Sequence, residues 1–197
     1  MAQTSTSILS DKNHIADKSG TIISFTKIGT EYKISSSDTA TVSFGTYSQY
    51  DLITVTGASN STNNSTFTVK SVSSDNDYVI VEEEVTTETS DGSTTVTLDN
   101  TGFVSAKSQG DGYYSQPDGV HTVSYKVNTT LTGSIKMQGT LATTPTEDDW
   151  FDISGTTFTT DQSTTISSAN FTGNFVWIRA KATSVTAGTI SSVLINS

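Results

Sequence analysis

From Thr21 to Asn196 the chain repeats one pattern: a short run in which apolar and hydroxyl-bearing residues alternate, then a break of Gly, Asn, Asp or Ser. Alternation with period two sends successive side chains to opposite faces of an extended strand, so each run reads as a β-strand with one face turned inward. Seven runs fill the first half: "TIISFTKI", "EYKIS", "ATVSF", "DLITVTG", "STFTVKSV", "DYVIVEEEV" and "STTVTL". Spacing this short and regular predicts a small barrel or sandwich. Between the last two runs, "SDG" at Ser90 to Gly92 is the clearest hairpin signal, since Asp-Gly supplies the positive φ of a type I′ turn.

The pattern dissolves between Leu98 and Val120 into "DNTGFVSAKSQGDGYYSQPDG", where glycines and a proline mark a linker. It then resumes as "VHTVSYKVN", "GSIKMQGTLA", "DWFDIS", "TTFTT", "STTISSANF", "NFVWIRAKA" and "GTISSVLIN", enough for a complete β-sandwich. The expected fold is therefore all-β, with two small antiparallel β-domains, a barrel or sandwich over 20–98 and a β-sandwich over 120–197, joined by a Gly-rich linker over 99–119. Residues 1–19 carry only Ile8, Leu9 and Ile15 as apolar anchors and are expected to form an extended N-terminal arm. Within it, "SDKNHIADK" suits either a single helical turn capped by Ser10 or Asp11, or a strand ordered by a neighbouring subunit.

Composition limits what such strands can do. Apolar residues make up 32% of the 197, against about 45–50% for ordinary domains when Gly is counted with them, so the cores are expected to be thin. Cysteine is absent, which removes disulfide staples and thiolate metal sites and leaves strand pairing, burial and subunit contacts to hold the fold. A formal charge of −10 with ten scattered basic residues offers no stripe to neutralise phosphates, so nucleic acid is not an expected partner. No apolar run approaches the roughly 18 residues of a membrane helix, and "MAQTSTSILSDKNH" has no signal-peptide pattern, so no membrane partner and a cytoplasmic origin are expected.

The C-terminal strand "NFVWIRAKA" holds the sole arginine. Alternation places Phe175, Trp177 and Arg179 on one face and Val176, Ile178 and Ala180 on the other, as in a central strand. The Arg179 head is expected to reach water or a carboxylate in "EDDW", and Trp150, Phe151, Phe175 and Trp177 are the candidate core anchors.

Catalytic and ligand-binding chemistry finds little material. The two histidines, His14 and His121, lie in the arm and at a strand start, His121 as a half-exposed strand residue; neither a nucleophile elbow nor a His-x-x-x-His pair exists. The acidic clusters Glu82–Glu84 and Glu147–Asp149, with Asp75, Asp77, Asp111 and Asp118, lack the spacing of a calcium loop and read as solvated turns or guarded strand edges. No enzyme, cofactor or metal is expected. Tyr113 and Tyr114 suit a subunit or domain contact, or else stacking on a sugar ring.

The segments "GSIKMQGTLATTPTEDDWFDI" and "NFTGNFVWIRAKATSVTAGTISSVLIN" resemble a C-terminal β-module recurrent in virion structural proteins of tailed bacteriophages, especially those of marine and cyanobacterial hosts. The resemblance covers roughly the last 65 residues. Residues 47–98 are similar to a small β-domain of phage structural proteins through "DLITVTG", "NNSTFTVKSV" and "DYVIVEEE", with Tyr50 before Asp51 and Ser65 where glycine is usual. What the resemblance implies is a virion component, a non-enzymatic decoration or cement protein on the head, with neck, baseplate or tail and fibre parts as the alternative. Its implied partners are the major capsid protein or neck and tail proteins, with the chain present as a homo-oligomer or in many copies. Like charge against packaged DNA favours the outside of the particle, and Ile8, Leu9 and Ile15 are candidate contacts, as are Tyr113 and Tyr114. From another class, a glycan-binding adhesin would use Tyr113 and Tyr114.

Overall fold

A computed structural model describes residues 5–111, 119–128, 130–159 and 165–196. Tyr113, Tyr114 and most of the expected linker after Asp111 lie outside the described residues. The strands are β1 (Thr6–Asn13), β2 (Lys18–Gly20), β3 (Ile23–Ile28), β4 (Glu31–Ser36), β5 (Asp51–Thr56), β6 (Thr66–Val72), β7 (Tyr78–Val81) and β8 (Val96–Val104). There follow β9 (Ser108–Gln109), β10 (Val120–Val127), β11 (Thr132–Thr140), β12 (Phe151–Asp152), β13 (Phe158–Thr159), β14 (Ile166–Thr172), β15 (Trp177–Ala187) and β16 (Thr189–Asn196). The protein is all-β, and its sheets are antiparallel.

The chain divides into two compact units whose boundaries differ from the expected ones: Ile15–Gly102 forms one, and Met1–His14 with Phe103–Ser197 the other. The first is thus inserted into the second.

In the inserted unit the strand order is β8-β5-β6-β7-β4-β3, with β2 paired to β8. Ile23, Phe25, Ile34, Ile53, Val55, Phe67, Val69, Val79, Val81, Val96 and Leu98 meet in its core. "ATVSF" is not a strand. Asp38 accepts hydrogen bonds from the Ala40 N–H and the Thr41 hydroxyl, and this side-chain turn folds the backbone locally while Val42 and Phe44 still reach the core. "SDG" is also not a two-residue hairpin: Gly92 alone has positive φ there, and the Asp91 carboxylate accepts from the Ser93 and Thr94 N–H groups. The run before it pairs elsewhere, Glu88 with Phe25. Ile15, expected to be an arm contact, is buried in this core.

The expected linker begins inside β8. Asn100 is buried, accepts from the Ile15 N–H at 3.0 Å and donates to the Leu52 carbonyl at 3.1 Å, so a polar residue is kept in a strand interior by hydrogen bonds.

The discontinuous unit has a four-stranded sheet, β1-β16-β10-β14, and a second in which β11 lies between β12 and β15, with β13 also on β11 and β9 on β15. Val123, Tyr125, Val127, Val193 and Ile195 from the first sheet share one core with Ile135, Met137, Ile178, Ala180 and Ala182 from the second, the arrangement of a sandwich. The segment expected to be a free arm is β1, paired antiparallel to β16 from Thr6–Ile195 to Asn13–Thr189. Its Leu9 is 5% exposed in the core, and Ile8 packs against that core. Burial of Leu9 and a ladder to β16 explain why it is a strand of this unit and not a capped turn.

Candidate functional site

A polar cluster lies on the outer face of β11 and β15. Their register sets Lys136 opposite Lys181, Gln138 opposite Arg179 and Thr140 opposite Trp177. Period two then gives this face Lys136, Gln138, Thr140, Trp177, Arg179 and Lys181, while Ile135, Met137, Ile178, Ala180 and Ala182 point to the core. A core-facing half that is fully apolar anchors both strands, so the polar half is held in fixed positions.

Residues 141–150 return to this face. Their 3₁₀ turn, Glu147–Asp149, is started by the Asp149 carboxylate, which accepts from both the N–H and the hydroxyl of Thr146. Those hydrogen bonds, the backbone one first, hold the Asp149 carboxyl below its ordinary range. The turn delivers Glu147 to Arg179, whose Nη1 and Nη2 donate to Oε1 and Oε2 at 2.5 and 2.8 Å. Arg179 Nε donates to Gln138 Oε1 at 2.9 Å, Gln138 Nε2 to Asp152 Oδ1 at 2.8 Å, and Lys136 Nζ to Asp152 Oδ2 at 2.5 Å. Trp150 covers the guanidinium face, 4.3 Å from Cζ to the ring centroid. Trp177 donates its indole N–H to the Thr143 carbonyl and carries Lys107 Nζ over its ring at 4.6 Å.

The electrostatics follow from partial burial. Burial pushes the Glu147 carboxyl up, but hydrogen bonds and attraction from Arg179, with Lys181 adding to them, leave it below the usual range. Asp152 behaves likewise, burial being outweighed by hydrogen bonds from Lys136 and Gln138. Lys181 is lowered, first by burial, with Arg179 and Lys136 adding repulsion and Glu147 opposing.

Arg179 thus reaches a carboxylate of "EDDW", but at 5% exposure it is buried and does not reach water. Of the four expected core anchors, Phe175 is in the core. Trp150 and Trp177 are corrected to half-buried residues of the outer face, because Trp177 shares the parity of Arg179 and Trp150 stacks on it. Phe151 is corrected to an exposed residue at 46%: its strand is two residues long and pairs only with Gln138 and Gly139, and its ring approaches Phe175 from outside the core cluster. Leu9 lies in the core of the discontinuous unit with Ile8 packed against it, and Ile15 lies in the core of the inserted unit. His121 is corrected from half-exposed to fully buried, stacked on Phe171 with Nε2 against the Gly173 carbonyl. Sequence reasoning did not assign Gln138, Lys136 and Lys181 to Arg179; the signal that could have found them is their period-two spacing on strands that pair as neighbours.

Chemically the cluster is a closed brace. The guanidinium directs three donors to Gln138 and Glu147 and one face to Trp150, and among the described residues no group of three acidic or histidine side chains is placed to hold a metal ion. No helix among the described residues is long and apolar enough to cross a membrane. What fold and site define is an all-β protein with an internally satisfied polar brace. The chain matches no protein-family model, and no match is found among curated proteins or solved structures.

Proposed function

We propose that this is a non-enzymatic structural protein of a tailed-phage virion, acting as a decoration or cement protein on the outside of the head. The observation that supports the reading is the brace itself. A set of charged and aromatic side chains is arranged to fix the 141–150 segment onto β11 and β15, and its donors are turned onto acceptors within the set. A bidentate, stacked arginine gives rigidity without a vacant reacting position, which suits a mechanical role. The resemblance of the last 65 or so residues to a phage virion module supplies the particle. In this reading each bound copy stabilises the assembled shell by mass action, and the finer architecture is two β-domains, one inserted in the other.

The test is immunogold labelling of intact particles with antibody to the purified protein, paired with mass spectrometry of purified virions. Label spread over the head is expected. Label confined to neck or tail moves the protein to that part of the particle, and absence of the protein from virions overturns the reading.

A further inference from the structure

We infer that β14 is the edge through which two copies of this chain join, by antiparallel pairing of β14 with β14 of a second copy. The inference does not depend on the virion reading. Among the described residues β14 pairs only with β10, at the outer end of the four-stranded sheet. Its seven residues, "ISSANFT", hold a continuous register from Val120–Thr172 to Lys126–Ile166 without a bulge. They contain no charge and no proline.

Exposed strands of that kind are templates for further pairing, and proteins normally guard them with charges, bulges, short length or a cover. The other described edges here are guarded. β1 has a register break between Ser7 and Leu9, a positive φ at Asp11, and the charges of Asp11 and Lys12. β12 is only two residues long, and β3 is bridged by Glu88, whose N–H and carbonyl exchange hydrogen bonds with Phe25. β14 alone among them is long, regular and uncharged.

The direction of its free groups can be read from the ladder. Val127 N–H donates to the Thr165 carbonyl, and Gly173 N–H to the Gly119 carbonyl. The odd-numbered positions of β14 therefore face β10, and alternation turns the backbone N–H and C=O groups of Ile166, Ser168, Asn170 and Thr172 to the open edge. The side chains of these same residues are exposed, Ile166 at 60%.

The occupant follows from charge. Two chains of −10 repel wherever their charged surfaces meet, and a partner selected by charge would need complementary residues along the strand, of which β14 has none. A second copy of the same neutral edge satisfies both conditions. Pairing about Ala169 sets Ser168 against Asn170 of the second copy and Ile166 against Thr172 of the second copy, so each outward backbone group meets a partner and no like charges are opposed. Ala169 then faces Ala169 of the second copy in a non-hydrogen-bonded pair, with Cα atoms about 4.5 Å apart.

The test uses the full chain in sedimentation equilibrium with two variants. Because the protein has no cysteine, Ala169→Cys gives an unambiguous readout: oxidation is expected to yield a covalent dimer, while Ser7→Cys on the guarded edge stays uncrosslinked. Ser168→Pro removes an outward N–H without touching the β10 ladder and is expected to weaken association at least tenfold with unchanged far-UV circular dichroism. Added salt is expected to strengthen the dimer by screening the net repulsion. A chain that stays monomeric at high concentration, equal crosslinking at positions 7 and 169, or association that weakens with salt would overturn the assignment.

Discussion

Arg179 and Glu147, thirty-two positions apart, face each other fork to fork, with both terminal guanidinium nitrogens on both carboxylate oxygens. The asymmetry of their burial decides what the pair does. Arg179 is enclosed, whereas the Glu147 side chain keeps 34% of its exposure. The arginine cannot recover hydration if its partner is lost, but the glutamate can.

Glu147→Gln is therefore expected to destabilise the discontinuous unit by about 1–3 kcal/mol, less than the ~3–5 kcal/mol of a fully enclosed pair because the carboxylate is partly hydrated. Arg179→Met added to it should restore part of the loss, since the stranded charge goes with it. Both tryptophans of the chain, Trp150 and Trp177, belong to this cluster, so the urea midpoint by tryptophan fluorescence reads this unit selectively.

The same pair, together with Asp152, contributes to the acid limb of stability. Glu147 and Asp152 titrate below their ordinary values of 4.5 and 3.8 when folded. A depressed folded value means the unfolded chain binds the proton first, so the contribution is present above those ordinary values and is lost as pH falls through the folded ones. Lys181, lowered for the opposite charge type, is relieved only on the alkaline side and leaves this limb unchanged. Urea midpoints measured between pH 7 and pH 3 should fall below about pH 4.5, and Glu147→Gln should make that fall shallower.

Strand content was legible because it is local: period two marks β3 to β8 and β10 to β16 in the sequence itself. β1 was not, since its partner β16 lies at the other end of the chain and a single deep apolar residue, Leu9, shows no stripe. The boundary at residue 99 failed for a related reason. Asn100 and Thr101 look like loop residues, yet Asn100 is held by Ile15 and Leu52, both distant in sequence. In the brace, the meeting of Arg179 with "EDDW" was legible from charge, but the fate of Trp177 was not: alternation gives the face a residue shares with its neighbours, and only the return of residues 141–150 decides what covers that face.

The insertion makes a prediction about fragments. Residues 15–102 expressed alone should unfold cooperatively, because their core is drawn from within that span. Residues 103–197 alone lack β1 and Leu9, and should gain stability when a peptide of residues 5–14 is added. Leu9→Ala in the full chain should cost about 2–4 kcal/mol by tryptophan fluorescence. Equal stability of the 103–197 fragment with and without the peptide would count against β1 as a structural strand.

Two glycines with similar backbones separate strain from crowding. Gly155 and Gly188 have φ of +78° and +87°, a region that costs a side-chain-bearing residue roughly 1–2 kcal/mol. Around Gly155 a Cβ would meet nothing within 4 Å, whereas at Gly188, between β15 and β16, it would lie 2.3 Å from the Leu131 backbone. Backbone atoms cannot swing aside as a side-chain tip can, so Gly188→Ala must displace the β15–β16 turn from Leu131. Gly155→Ala should cost about 1 kcal/mol. Gly188→Ala should exceed ~3 kcal/mol or prevent folding of the discontinuous unit, and thermal denaturation of the two variants side by side, read by tryptophan fluorescence, checks the ranking.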